Sequence, residues 1–134
     1  MVQKECLFSF DYDEEKEEDA RLFKKTIIEY LGYDERVNEN LTYQTILGEG
    51  AAKIISSLTF TNKRVFLANV ADGILDTTLY SLPYSTITDW ELDFKQGNRQ
   101  GTLVLYTLTS YVLVKADLAS LFDMQESVAS FSPR

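Results

Sequence analysis

The side chains in this chain that could do acid–base or metal chemistry are carboxylates, and seven of them crowd one stretch: Asp11, Asp13, Glu14, Glu15, Glu17, Glu18 and Asp19. Paired carboxylates can share a proton or grip a cation, and Asp11-x-Asp13-x-Glu15 has the opening spacing of a calcium loop. Such a loop needs Gly at its sixth position and Glu at its twelfth, where this sequence has Lys16 and Leu22. There is no His anywhere in the chain, which removes the usual general base near neutral pH and the commonest metal ligand. The single Cys6 has no His and no Lys-rich setting to lower its pKa, so it reads as a buried or bystander thiol. Gly48-Glu49-Gly50 lacks the Lys-Ser/Thr that would complete a phosphate loop. These residues predict no catalytic site, no metal and no cofactor.

The elements around them follow from periodicity. Glu5 to Tyr12 alternates, placing Cys6, Phe8, Phe10 and Tyr12 on one face of a strand whose partner the sequence does not identify. The acidic run then leads into Ala20, Phe23, Ile27, Tyr30 and Leu31 at helical spacing, with Gly32 as the stop. Acids at the start and Lys24 and Lys25 toward the end suit the helix dipole. From Leu41 onward the pattern is β. Seven strands are expected at 41–47, 54–61, 64–70, 77–82, 86–94, 102–108 and 111–115, with turns at Asn62-Lys63, Asp72-Gly73 and Gln96-Gly97-Asn98. Thr88, Trp90, Leu92 and Phe94 should face inward, and Asp89, Glu91 and Asp93 outward. Asp117 can cap a last helix near Leu118–Ser130, whose stripe is Leu118, Leu121, Phe122, Gln125, Val128 and Ala129. The expected core is Leu58, Phe60, Leu67, Ile87, Trp90, Leu92, Leu103, Leu105 and Leu121.

A chain of 134 residues with 45% apolar content suits a single domain with a real core. No apolar run reaches the roughly 18 residues of a membrane span, and the first residues lack a secretion signal, so a soluble cytoplasmic protein is expected. The net charge is −8, and residues 1–40 carry 12 acidic against 6 basic side chains. This field repels phosphate backbones and anionic membranes and attracts basic partners.

Two segments resemble the signature of bacterial pleckstrin-homology-like (PH-like) domains: Thr61-Asn62-Lys63-Arg64, which turns one strand into the next, and Leu82-Pro83-Tyr84-Ser85-Thr86-Ile87, a Pro-Tyr-x-x-Ile element that opens a later strand. Asp34-Glu35-Arg36-Val37 is similar to the acidic lead-in to the family's first strand. The resemblance implies a mainly β (α+β) fold, a bent antiparallel barrel of about seven strands closed by a C-terminal helix. It spans 33–130, with 1–32 as a preceding strand and acidic amphipathic helix and 131–134 as a tail. It also allows a homo-oligomer. The signature residues read as structural: Pro83 fixes φ at a strand start, Tyr84 gives an aromatic body with a polar tip, and Lys63 and Arg64 keep a hairpin soluble. A phosphoinositide site would need more cations, since between Leu41 and Ser57 only Lys53 is basic.

The function expected is a non-catalytic module that binds a protein partner with a basic surface, without direct nucleic-acid or membrane binding. Its candidate contact is the acidic helix face of Glu14, Glu15, Glu17, Glu18 and Asp19. The alternative is a small acidic inhibitor, encoded by a phage or mobile element, whose carboxylates imitate phosphates and block a nucleic-acid-handling protein.

Overall fold

The computed structural model describes residues 3–12, 31–46, 53–71 and 77–132. Among these, eight strands precede one helix: β1 (Glu5–Asp11), β2 (Val37–Ile46), β3 (Lys53–Thr61), β4 (Arg64–Ala71), β5 (Thr77–Pro83), β6 (Asp89–Phe94), β7 (Gln100–Tyr106), β8 (Ser110–Asp117) and α1 (Leu118–Phe131). The expected helix over the acidic run, with Glu14, Glu15, Glu17, Glu18 and Asp19, lies outside the described residues.

The fold is mainly β with one C-terminal helix. β2-β3-β4-β5 form an antiparallel meander, and β1-β8-β7-β6 form a second sheet in which β1 runs parallel to β8. All seven strands expected from Leu41 onward are present, but the sheets are separate and do not close into a barrel. One core joins them to the helix: Phe8, Phe10, Leu58, Phe60, Leu67, Leu103, Leu105, Val112, Leu121, Met124 and Val128 are all buried in it. A buried apolar side chain of this size is worth roughly 1.5–3 kcal/mol, so the three-way junction of two sheets and α1 dominates the stability of the molecule.

Four local expectations need correction. Cys6 is exposed, because the β1–β8 register slips between Cys6 and Phe8; Leu7 is the extra residue, and the bulge turns Cys6 out of the face that Phe8, Phe10 and Tyr12 share. Pro83 ends β5 instead of opening a strand, and Tyr84–Thr86 form a 3-10 turn before β6 begins at Asp89. Trp90 and Leu92 point inward as expected but are only half-buried, and Phe94, expected with them, is exposed, since β6 is the last strand of its sheet. In α1 the buried stripe is Leu121, Met124 and Val128 with Ser127, whereas Phe122 and Ala129 face water and Phe131 extends the helix into the expected tail. Asp117 does cap it, accepting the Ser120 N–H at 3.1 Å.

Candidate functional site

The signature residues meet in one cluster beside the β3–β4 turn. The approach to β2 is a turn in which Glu35 N–H donates to the Gly32 carbonyl (3.1 Å), with Asp34 at φ 60°, a conformation Asp tolerates better than most residues. That turn delivers the Glu35 carboxylate to Arg64, whose Nε and Nη2 donate to Oε2 and Oε1 at 3.0 and 2.8 Å. Gly32 N–H and the Thr61 hydroxyl fill the remaining lone pairs at 2.8 and 2.6 Å. The Glu35 side chain has no solvent exposure, and Arg64 retains 30% of its own. Burial alone would raise the Glu35 pKa. The hydrogen bonds from Arg64, Gly32 and Thr61 and the positive charge of Arg64 outweigh burial and hold it at about 2.

The turn itself is built by side chains. Asn62 does not adopt the positive φ that Asn tolerates in tight hairpins. Instead Thr61 Oγ1 accepts the N–H groups of Lys63 and Arg64, both at 3.0 Å, and folds the chain back without a left-handed residue. Asn62 bridges to the β2 approach, accepting Arg36 N–H at 2.8 Å and donating to the Asp34 carbonyl at 3.0 Å. Lys63 Nζ donates to the Tyr33 carbonyl at 2.7 Å. The β7–β8 turn repeats the device: Thr107 Oγ1 accepts Ser110 N–H at 3.0 Å. Tyr84, at the 3-10 turn, reaches across to donate its hydroxyl to the Thr61 carbonyl at 2.6 Å and packs on Phe131 of α1 with ring centroids 5.6 Å apart. Burial, then the charge of Glu35, push the Tyr84 phenol far above its usual pKa, so it stays a donor.

This cluster clamps β2, the β3–β4 turn, β5 and α1 together, and its chemistry is spent on that. Arg64 is engaged by Glu35, by the Phe66 ring 4.5 Å from its guanidinium carbon, and weakly by Ser81. Both cations of the turn make contacts within the fold. The partnership of Glu35 with Arg64 was not readable, because 29 residues separate them and either could have met solvent.

Three other features face outward. A groove of about 580 Å³ lies between the end of β5 and the β7–β8 turn, lined by Leu82, Pro83 and Leu108 and by the hydroxyl residues Ser85, Thr88 and Thr109, with no charged side chain on its wall. Beside α1, Glu39 on β2 is pushed above its ordinary pKa by burial and then by Asp123 and Asp117. Along β6 stand the exposed carboxylates Asp89, Glu91 and Asp93, ending at Phe94, which meets Phe122 edge-to-face at 6.0 Å. Among the described residues no group of three or more His, Cys, Asp or Glu is placed to hold a metal, and no helix is long and apolar enough to cross a membrane. No family model, no curated protein and no solved structure matches the chain.

Proposed function

We propose that the chain is a non-catalytic PH-like module that binds a protein partner through an acidic surface. The observation that carries the scaffold half of this reading is strand order: an antiparallel four-strand meander, β2 to β5, then a three-strand meander, β6 to β8, then the capping helix α1. That is the order the resemblance implies, with β1 added at the free edge of β8. The engagement of Lys63 by the Tyr33 carbonyl and of Arg64 by Glu35 supports the other half. The chain carries a net charge of −8, which suits a basic protein surface and opposes phosphate.

The test is affinity capture from cells that express the protein, with the wild-type chain and with a variant carrying Glu14→Gln, Glu15→Gln, Glu17→Gln and Glu18→Gln. A basic partner held by the wild type, released as salt shortens the Debye length and lost by the variant, is the expected result. Equal capture by both forms removes the acidic run from Glu14 to Glu18 from the reading. A partner that handles nucleic acid and gives up this chain when DNA is added would favour the inhibitor alternative.

A further inference from the structure

The sheet β1-β8-β7-β6 ends at β6, and among the described residues β7 is the one strand that pairs with it. A sheet edge of this kind is a template for another strand unless something covers or blunts it. At its start β6 blunts itself: Trp90 N–H donates to Asp89 Oδ1 at 2.8 Å. From Glu91 to Phe94 no comparable side-chain cap occurs among the described residues, and the stretch finishes in two large rings left half in water. Phe94 is 47% exposed and Phe122 on α1 is 49% exposed. Among the described residues, the other exposed large apolar side chains, Tyr33, Val37, Tyr80 and Leu108, show no such ring pairing beside a strand edge. Gly101 on β7 packs closely beneath Asp93, Phe94 and Leu118.

We propose that the Glu91–Phe94 edge with the Phe94–Phe122 pair is a docking site for an extended basic segment of a partner protein, which adds as a fifth strand beside β6. Backbone pairing supplies the register, the rings take one apolar side chain of the guest, and its Lys or Arg residues meet the carboxylates. The choice of occupant rests on charge. Asp89, Glu91 and Asp93 line the strand, and Asp123 and Glu126 flank Phe122, all of them exposed. A second copy of this chain adding through the same edge would set those acids against themselves, and a nucleic acid would set phosphates against them. An extended segment rich in Lys or Arg with an apolar residue satisfies edge, rings and charge together. The inference rests on the protein-binding reading above for the nature of the partner but uses different residues from the acidic run from Glu14 to Glu18.

The experiment uses the full chain and a labelled synthetic peptide, acetyl-Lys-Val-Lys-Phe-Lys-Val-Lys-amide, followed by fluorescence anisotropy, with amide shifts mapped by NMR. Saturable binding that weakens with salt and perturbs the amides of Glu91 to Phe94 is expected. Phe122→Ser should weaken it about tenfold, as for a central apolar anchor, and Asp93→Asn should flatten its salt dependence. Both positions are exposed, so the fold should survive, and a melt by circular dichroism checks that. The same peptide with every backbone amide N-methylated keeps charge and side chains but has no N–H left to donate and carries methyl groups along both edges, so it cannot pair, and it should not bind. Equal binding of the methylated peptide, unchanged affinity of Phe122→Ser, shifts confined to another edge, or no binding at all each overturn the proposal. None of those outcomes touches capture through Glu14 to Glu18, so the two readings fail separately.

Discussion

Glu35 is a carboxylate with no exposed side-chain surface and a pKa of about 2, and the two facts are reconciled by its partners. Its folded pKa lies below the ordinary 4.5, so the ionised form stabilises the fold fully above pH 4.5 and progressively less as pH falls toward 2. The shift corresponds to about 3 kcal/mol at neutral pH, reduced to about 2 by the partial exposure of Arg64. Glu35→Gln should therefore lose about 2 kcal/mol in urea unfolding at pH 7. The gap to wild type should narrow at pH 3, and a gap that stays constant across that range would show the loss to be steric. Tyr84→Phe tests the other side of the clamp: removing a 2.6 Å hydrogen bond to the Thr61 carbonyl in a buried setting should cost about 1–2 kcal/mol, read by the same titration. At this scale the sequence shows which residues matter and hides what they do. Thr61, Asn62, Lys63, Arg64 and Tyr84 stand out as a motif. Their partners Glu35, Tyr33 and Phe131 come from distant segments, and periodicity carries no information about distant pairing.

Gly101 shows how closely the elements pack. A Cβ at this position would sit 2.8 Å from the Asp93 carbonyl oxygen, 2.8 Å from Leu118 Cδ2 and 3.1 Å from Phe94 Cβ. Two of those three atoms belong to β6, one of them backbone, so little can give way. Gly101→Ala should destabilise the molecule by about 1–3 kcal/mol through overpacking where β6, β7 and α1 meet, and unfolding at wild-type midpoint would refute the crowding. The elements themselves were largely legible. Alternation and turn residues located β2 to β8, although β3 and β4 are buried on both faces, and Asp117 marked the start of α1 through its capping chemistry. What escaped was the exact face of α1. Phe122 looked like core by residue type and proved exposed, while Met124, one turn from Leu121, is fully buried. Leu121, Met124 and Val128 already sit at i, i+3 and i+7, so the spacing held the answer, and hydrophobicity of residue type misdirected it. The bulge at Leu7 was likewise invisible, since a one-residue slip leaves no mark until the partner strand is known.

For the molecule as a whole, the N-terminal strand belongs to the core as much as any later one does. The sequence reading set residues 1–32 apart as an extension, because the resemblance begins after them. Yet Phe8, Phe10 and Tyr12 are 6%, 0% and 8% exposed and sit in the same cluster as Leu103, Val112 and Leu121. Sequence could not place them, because β1 pairs with β8 across the whole length of the chain and in parallel, a connection with no local signal. Burying three aromatic side chains is worth roughly 5–8 kcal/mol, against a total stability of about 5–15 kcal/mol for a typical domain. Removing residues 1–12 would also strip β8 of one of its two pairing partners and make β8 itself the edge strand. The 13–134 chain should therefore lose cooperative thermal unfolding and the dispersed amide spectrum of a packed core. Because a truncation can fail for reasons unrelated to packing, Phe10→Ala supplies the graded measurement. It should lower stability by about 3–5 kcal/mol, as a large-to-small change at a fully buried aromatic does, and leave the slope of the denaturant transition unchanged. A Phe10→Ala variant within about 1 kcal/mol of wild type, or a 13–134 chain that melts cooperatively near the wild-type temperature, would show that the two sheets and α1 hold together without β1.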